Sequence, residues 1–147
     1  MPGLVGVIAL GPEPQARARA AELLPPLIAP LRHHLWYHTD TYLDPQEGLA
    51  IARLHLGILN PAPQPYSCPH APLKVFLHGE IYNDEALPDR QLECIAQLYS
   101  RFGPTFAAHL NGSFLILLHD PARQLLLLAT DRTASKPCFY FQDDQRL

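Results

Sequence analysis

Charge of either sign is scarce in this chain. Its 147 residues hold 11 Lys and Arg against 14 Asp and Glu, a net charge of −3 with the histidines neutral, and no basic cluster forms a stripe. That leaves no electrostatic footprint for nucleic acid or for an anionic membrane surface. Long apolar runs are missing too. None approaches the ~20 residues that a spanning helix needs, and the opening run has neither a charged leader nor a small-residue cleavage site, so no signal peptide is expected. Cysteine is rare: Cys68, Cys94 and Cys138 make an odd count without paired spacing. This argues against a disulfide framework and for a reducing compartment, and a cytoplasmic protein is expected. No C-x-x-C occurs, and Cys68 and His70 share the proline-rich "YSCPH", so neither a metal site nor a cofactor is expected.

What the chain does have is enough apolar residue, 48%, to build one domain with a proper core. The opening "GLVGVIAL" reads as a buried strand that ties down the amino terminus. An alanine-rich helix follows over "PQARARAAELL", with Pro12 or Pro14 near its start, and Pro25 and Pro26 are expected to end it. "PLIAPLRH" suits a further short helical turn, and "LWYHTDTY" and "GLAIARLHLGIL" read as strands, the second by alternation. The five prolines of "NPAPQPYSCPHAP" mark a surface loop. "LKVFLHGEIYN" is a strand expected to run into a glycine turn. Asp89 is placed to cap a helix over "RQLECIAQLYSRF", with Leu92, Ile95, Tyr99 and Phe102 on one face and Gly103 as its stop. Three more strands are expected, "SFLILLH", "QLLLLAT" and "CFYFQ", the first two joined by "DPAR" and covered on both faces. Composition alone reaches a three-layer or four-layer sandwich of sheets and helices.

Taken in order, "GLVGVIAL", "ARLHL", Gln64-Pro65, "HGEIYN", "HLNGSFLILLHD" and "LLLLATDRTASKPCFYF" resemble the N-terminal glutaminase domain of asparagine synthetases, a class II glutamine amidotransferase domain. The resemblance covers essentially the whole chain. It implies one domain over residues 1–147, an α+β fold with the four-layer αββα sandwich of N-terminal-nucleophile hydrolases, somewhat truncated after Asn83. The ATP-binding synthetase domain that usually follows is not matched, because no "SGGxDS" loop occurs.

The resemblance also assigns roles. The family's terminal cysteine, whose thiolate attacks the glutamine amide, falls at Pro2, which has no side-chain nucleophile. Arg53 falls at the arginine that forks onto the glutamine α-carboxylate. The oxyanion pair falls at His78, in place of an asparagine, and at Gly79, with Glu80 beside it. Gln91 falls where an acidic residue faces the α-ammonium, and His33 to Tyr37 replace the family's "HRGPD". Three altered positions together lead to the expectation of a domain that is not an enzyme. It would serve instead as a scaffold or interface for a synthetase-like domain or protein, or for a second copy of itself. Two alternatives stand beside this: a regulatory module holding a small amino acid or carboxylate through Arg53, and an enzyme using the Pro2 amine. Read structurally instead, Arg53 is a strand arginine paired with an acid such as Glu80, and His78 is a half-buried scaffold histidine. Asp131 with Arg132 steadies a turn, and Tyr82 and Asn83 close the "GEIYN" segment.

Overall fold

The computed structural model describes residues 2–10, 13–83, 89–144 and 146–147. Pro12, named above, lies outside these. The chain divides into two units, residues 1–58 with 139–147, and residues 59–138.

In the first unit, β1 (Gly3–Ile8), β2 (His38–Asp44) and β3 (Leu49–His55) form an antiparallel sheet in the order β1-β3-β2. Leu4 and Asp40 both stand opposite Arg53, and His38 stands opposite His55. All seven residues of the central strand β3 are buried. The alternation expected there is therefore corrected: both faces of β3 are covered, so its pattern separates no exposed face. Helix α1 (Pro14–Ile28) lays Ala20 and Leu24 against Val7, Ala50 and Ala52. It runs straight through Pro25 and Pro26, so the expected stop fails. The carbonyls those two prolines leave without a helical donor belong to Ala21 and Glu22, which are partly and fully exposed, so solvent can satisfy them in place of the missing N–H. A 3₁₀ turn, Ala29–Leu31, follows as expected.

Of "LWYHTDTY", only the residues from His38 onward join a strand. Leu35 and Trp36 stand 93% and 60% exposed in the preceding turn. Trp36 stacks on the His34 ring and meets the edge of Tyr37. The expected strand over "CFYFQ" does not form. Phe139, Tyr140 and Phe141 are exposed, and only the last residues pair, with Leu147 and Ile8 exchanging backbone bonds of 2.8 Å beside an Ala9–Arg146 bridge. Aromatic content favours a strand but supplies no neighbouring strand to pair with.

The second unit holds an antiparallel sheet in the order β4-β5-β6-β7: β4 (Tyr66–Ser67), β5 (Lys74–Ile81), β6 (Gly112–Asp120) and β7 (Leu125–Thr130). Helix α2 (Gln91–Phe102) packs Ile95 and Tyr99 onto Val75, Leu77, Ile116 and Leu118. Its helical spacing and the stop at Gly103, φ +60, are as the sequence predicts. The N-cap is Arg90 rather than Asp89, and no side chain caps it. Arg90 reaches forward to Glu93 at 2.6 and 2.7 Å. Asp120 turns the β6–β7 connection by accepting the Arg123 N–H. β7 is only half-buried, because it is the edge of the sheet and covering both faces needs a further neighbour.

The proline-rich segment is less of a surface loop than expected. Gln64, next to a cis Gln64–Pro65 bond, is 4% exposed. Its Oε1 accepts the Leu77 N–H at 2.7 Å and its Nε2 donates to the Leu77 carbonyl at 3.2 Å. One side chain thus completes the sheet edge as a strand residue would.

Candidate functional site

Of the residues expected at a site, Arg53 and Pro2 belong to the first unit, and His78, Gly79, Glu80 and Gln91 to the second. Pro2 is half-buried and directly precedes β1. Arg53, mid-way along the buried strand β3, is 2% exposed. A guanidinium so placed needs a counter-charge, and Asp40 supplies it from the facing position of β2. Arg53 Nε and Nη2 both donate to Asp40 Oδ2, at 2.9 and 2.8 Å. The acid paired with Arg53 on this sheet is therefore Asp40. Burial pulls the Arg53 pKa below its ordinary value, and Asp40 acts against that pull. His55 Nε2 lies 3.6 Å from the same oxygen, and its Nδ1 accepts the Gly57 N–H at 3.2 Å.

In the second unit, β5 carries "HGEI" along β6. The chain does not turn at Gly79, as expected, but continues to Ile81. Gly79 has φ +113, and a Cβ there would overlap the Ser113 carbonyl. Across the ladder, a Cβ on Gly112 would overlap the Glu80 carbonyl. The two backbones approach this closely only because both residues lack side chains. Asn60 then clamps the crossing: its Nδ2 donates to the Gly79 carbonyl at 2.8 Å and to Gln91 Oε1 at 3.4 Å. Gln91 Oε1 also accepts the Ile81 N–H at 2.8 Å. Gln91 is thus a buried brace that joins α2 to β5 through its Oε1. His78 and Glu80 are half-buried on the same strand.

Beyond Ile81 the strand is tied down as the sequence predicts. Tyr82 N–H donates to the Asn111 carbonyl at 2.7 Å, Asn111 N–H to Asn83 Oδ1 at 2.8 Å, and Asn83 Nδ2 to the His109 carbonyl at 2.9 Å. Asp131 steadies its turn as expected. Its carboxylate accepts the N–H groups of Phe114, Thr133 and Ser135 and the hydroxyls of Thr133 and Ser135. The Ser135 hydroxyl first, with these other donors, holds its pKa well below the ordinary carboxylate value. A cleft of about 430 Å³ borders Asn111, Gly112, Asp131 and Arg132. His34 and His38 stand four apart in the sequence, but among the described residues no three His, Cys, Asp or Glu gather as metal ligands.

Sequence reasoning missed Asp40 and Asn60, and it named Gln64 only as part of a motif, without its bonds to Leu77. Asp40 follows only from the β2–β3 register, which sets it opposite Arg53. Asn60 carries a signal, since it takes φ +48, and asparagine is the residue after glycine that best tolerates that region.

The sequence profile described as the glutamine amidotransferase domain matches residues 1–147. Among characterised proteins, the chain is 27% identical over 150 residues to asparagine synthetase [glutamine-hydrolyzing] 2 of Bacillus subtilis, covering 95% of this chain and 20% of that one. It is 30% identical over 150 residues to asparagine synthetase [glutamine-hydrolyzing] 1 of Arabidopsis thaliana, covering 89% and 24%. It is also 29% identical over 112 residues to the amidase chry2 of Gibberella zeae, covering 68% and 17%. The chain therefore spans less than a quarter of these relatives. These matches correct the expectation that the domain is not an enzyme: the matching family is one of amidotransferases, and the relatives carry enzyme names. That expectation rested on Pro2, His78 and Gln91 taken together against the family's motif. A changed side chain alters which group could perform a step, but it does not measure a rate.

Proposed function

Because the chain belongs to the glutamine amidotransferase domain family, we propose that it is the amidotransferase-type part of an ATP-dependent, amide-forming enzyme of the asparagine synthetase kind, and that it serves there as the surface on which a synthetase-type part docks. The observation that carries this reading is the β5–β6 crossing. Gly79 and Gly112 hold two backbones in contact, and Asn60 and Gln91 brace them. Chemistry on an acyl group depends on backbone dipoles held in place before the reaction begins, and this crossing fixes the backbone at the "HGE" stretch. Two sheets, each with a helix packed on it, supply the layers an αββα sandwich requires. Cys68, Cys94 and Cys138 are free thiols, which suits a cytoplasmic setting. The alternative in which Arg53 holds a ligand carboxylate is not carried forward, since Asp40 already supplies a carboxylate to its Nε and Nη2.

The test is amide formation by the natural polypeptide with ATP and a carboxylate acceptor, glutamine and ammonium each being offered as nitrogen source. We expect ATP-dependent product, and we expect Gly79→Val to lower it at least roughly tenfold by distorting the crossing. Unchanged turnover in that variant would remove the support for the reading.

A further inference from the structure

His55 closes β3 with both ring nitrogens engaged. Nδ1 accepts the Gly57 N–H, which leaves the proton of the neutral ring on Nε2. Nε2 lies 3.6 Å from Asp40 Oδ2, the oxygen that also takes Arg53. His38, directly across the strands, stacks on the His55 ring with centroids 5.3 Å apart and planes 29° from parallel. Gly57 takes φ +74, and a Cβ on it would lie 3.0 Å from the His38 ring. The bend and the imidazole pair are therefore packed as one piece. One residue later, between Ile58 and Leu59, the first unit gives way to the second.

We propose that His55 is an acid-sensitive latch on the segment leading from the first unit to the second, and that protonation of its Nδ1 breaks the bond to Gly57 and frees the bend. A doubly protonated ring has donors on both nitrogens and no acceptor, so the Gly57 N–H would then face another N–H. The groups around the ring act in opposite directions. Burial, Arg53 and His38 disfavour the charged ring, Asp40 favours it, and the balance holds His55 below its ordinary value of 6.5. From β1, the other strand on β3, the facing residues are uncharged: Leu4 opposite Arg53 and Gly3 opposite Leu54. For a histidine depressed in the fold, the stabilising contribution is complete above the unfolded value. It is lost as pH falls through the folded one. The latch is closed at neutral pH and opens in acid.

The test is a pH titration of the whole chain followed by proton–nitrogen NMR. At neutral pH His55 should show the Nε2–H tautomer. Its midpoint should fall below 6.5, and the Gly57 amide should shift, and lose roughly tenfold in exchange protection, with that same midpoint. His55→Asn places an amide oxygen near the position of Nδ1 and cannot titrate, so its Gly57 signal should stay flat and protected. His55→Gln reaches instead toward the position of Nε2 and should leave Gly57 unprotected at every pH. A Gly57 amide that ignores the His55 midpoint, an Nδ1–H tautomer, or an Asn variant that still titrates at Gly57 would overturn the proposal. Should neither variant fold, the wild-type titration alone decides.

Discussion

Asp131 gathers five donors from its own turn and from Phe114 on β6, so one carboxylate holds the chain after β7 to the sheet. Its depressed pKa links that turn to pH: the contribution is complete above the ordinary 3.8 and is lost as pH falls below it. Asp131→Asn should lower the thermal midpoint at neutral pH and flatten the acid limb below 3.8, read as unfolding midpoints over a pH series. Gly79 is more demanding. Alanine there would carry its methyl into the Ser113 carbonyl at a φ that L-residues rarely adopt, and a loss on the order of 2–3 kcal/mol is expected from denaturant titration. The motif "HGEIYN" drew attention to Gly79 from the sequence. Its reason, the close approach of Gly112 from the next strand, could not be read there because it depends on the β5–β6 register.

At the scale of elements, α2 was legible because three independent signals agreed: the Leu92, Ile95, Tyr99 spacing, the Gly103 stop and the length. α1 was only half legible. Its start followed from Pro14, but its end did not follow from Pro25 and Pro26, since a helix can cross two prolines where the freed carbonyls meet solvent. Restoring one donor tests this: Pro26→Ala should raise stability by about 1 kcal/mol, as the Glu22 carbonyl regains its bond, less the entropy returned to the unfolded chain. Gln64 makes the complementary case in the sheet. Gln64→Leu would leave both the N–H and the carbonyl of Leu77 without the side chain that now satisfies them, and a loss of about 2 kcal/mol is expected by the same titration. The strand read over "CFYFQ" fails for want of a partner. A single run of sequence shows that a segment can pair, not that anything lies beside it.

Across the whole molecule, the order of elements was legible and the division into two units was not, because that division depends on which contacts the chain closes and not on any linker composition. Each unit has its own apolar cluster, one under α1 and one under α2. Amide exchange should show this as unequal protection. The paired amides at the centre of β5 and β6 should exchange at least roughly a hundredfold more slowly than those of β2, whose residues are only half-buried or exposed. Uniform protection across both sheets would mean that the chain opens as a single cooperative block.

The turn before β2 has an optical consequence. Trp36 is the one tryptophan in the chain, and it already stands 60% exposed. Melting the protein moves that indole from a largely exposed stack beside His34 and Tyr37 into water, so its emission should drift only slightly through the transition. The cooperative signal belongs instead to near-ultraviolet dichroism, where buried Tyr99, edge-on to Phe106 at 5.9 Å, loses its asymmetric surroundings as the core comes apart. To a fluorimeter tuned to indole, the folded and unfolded chains should look almost alike.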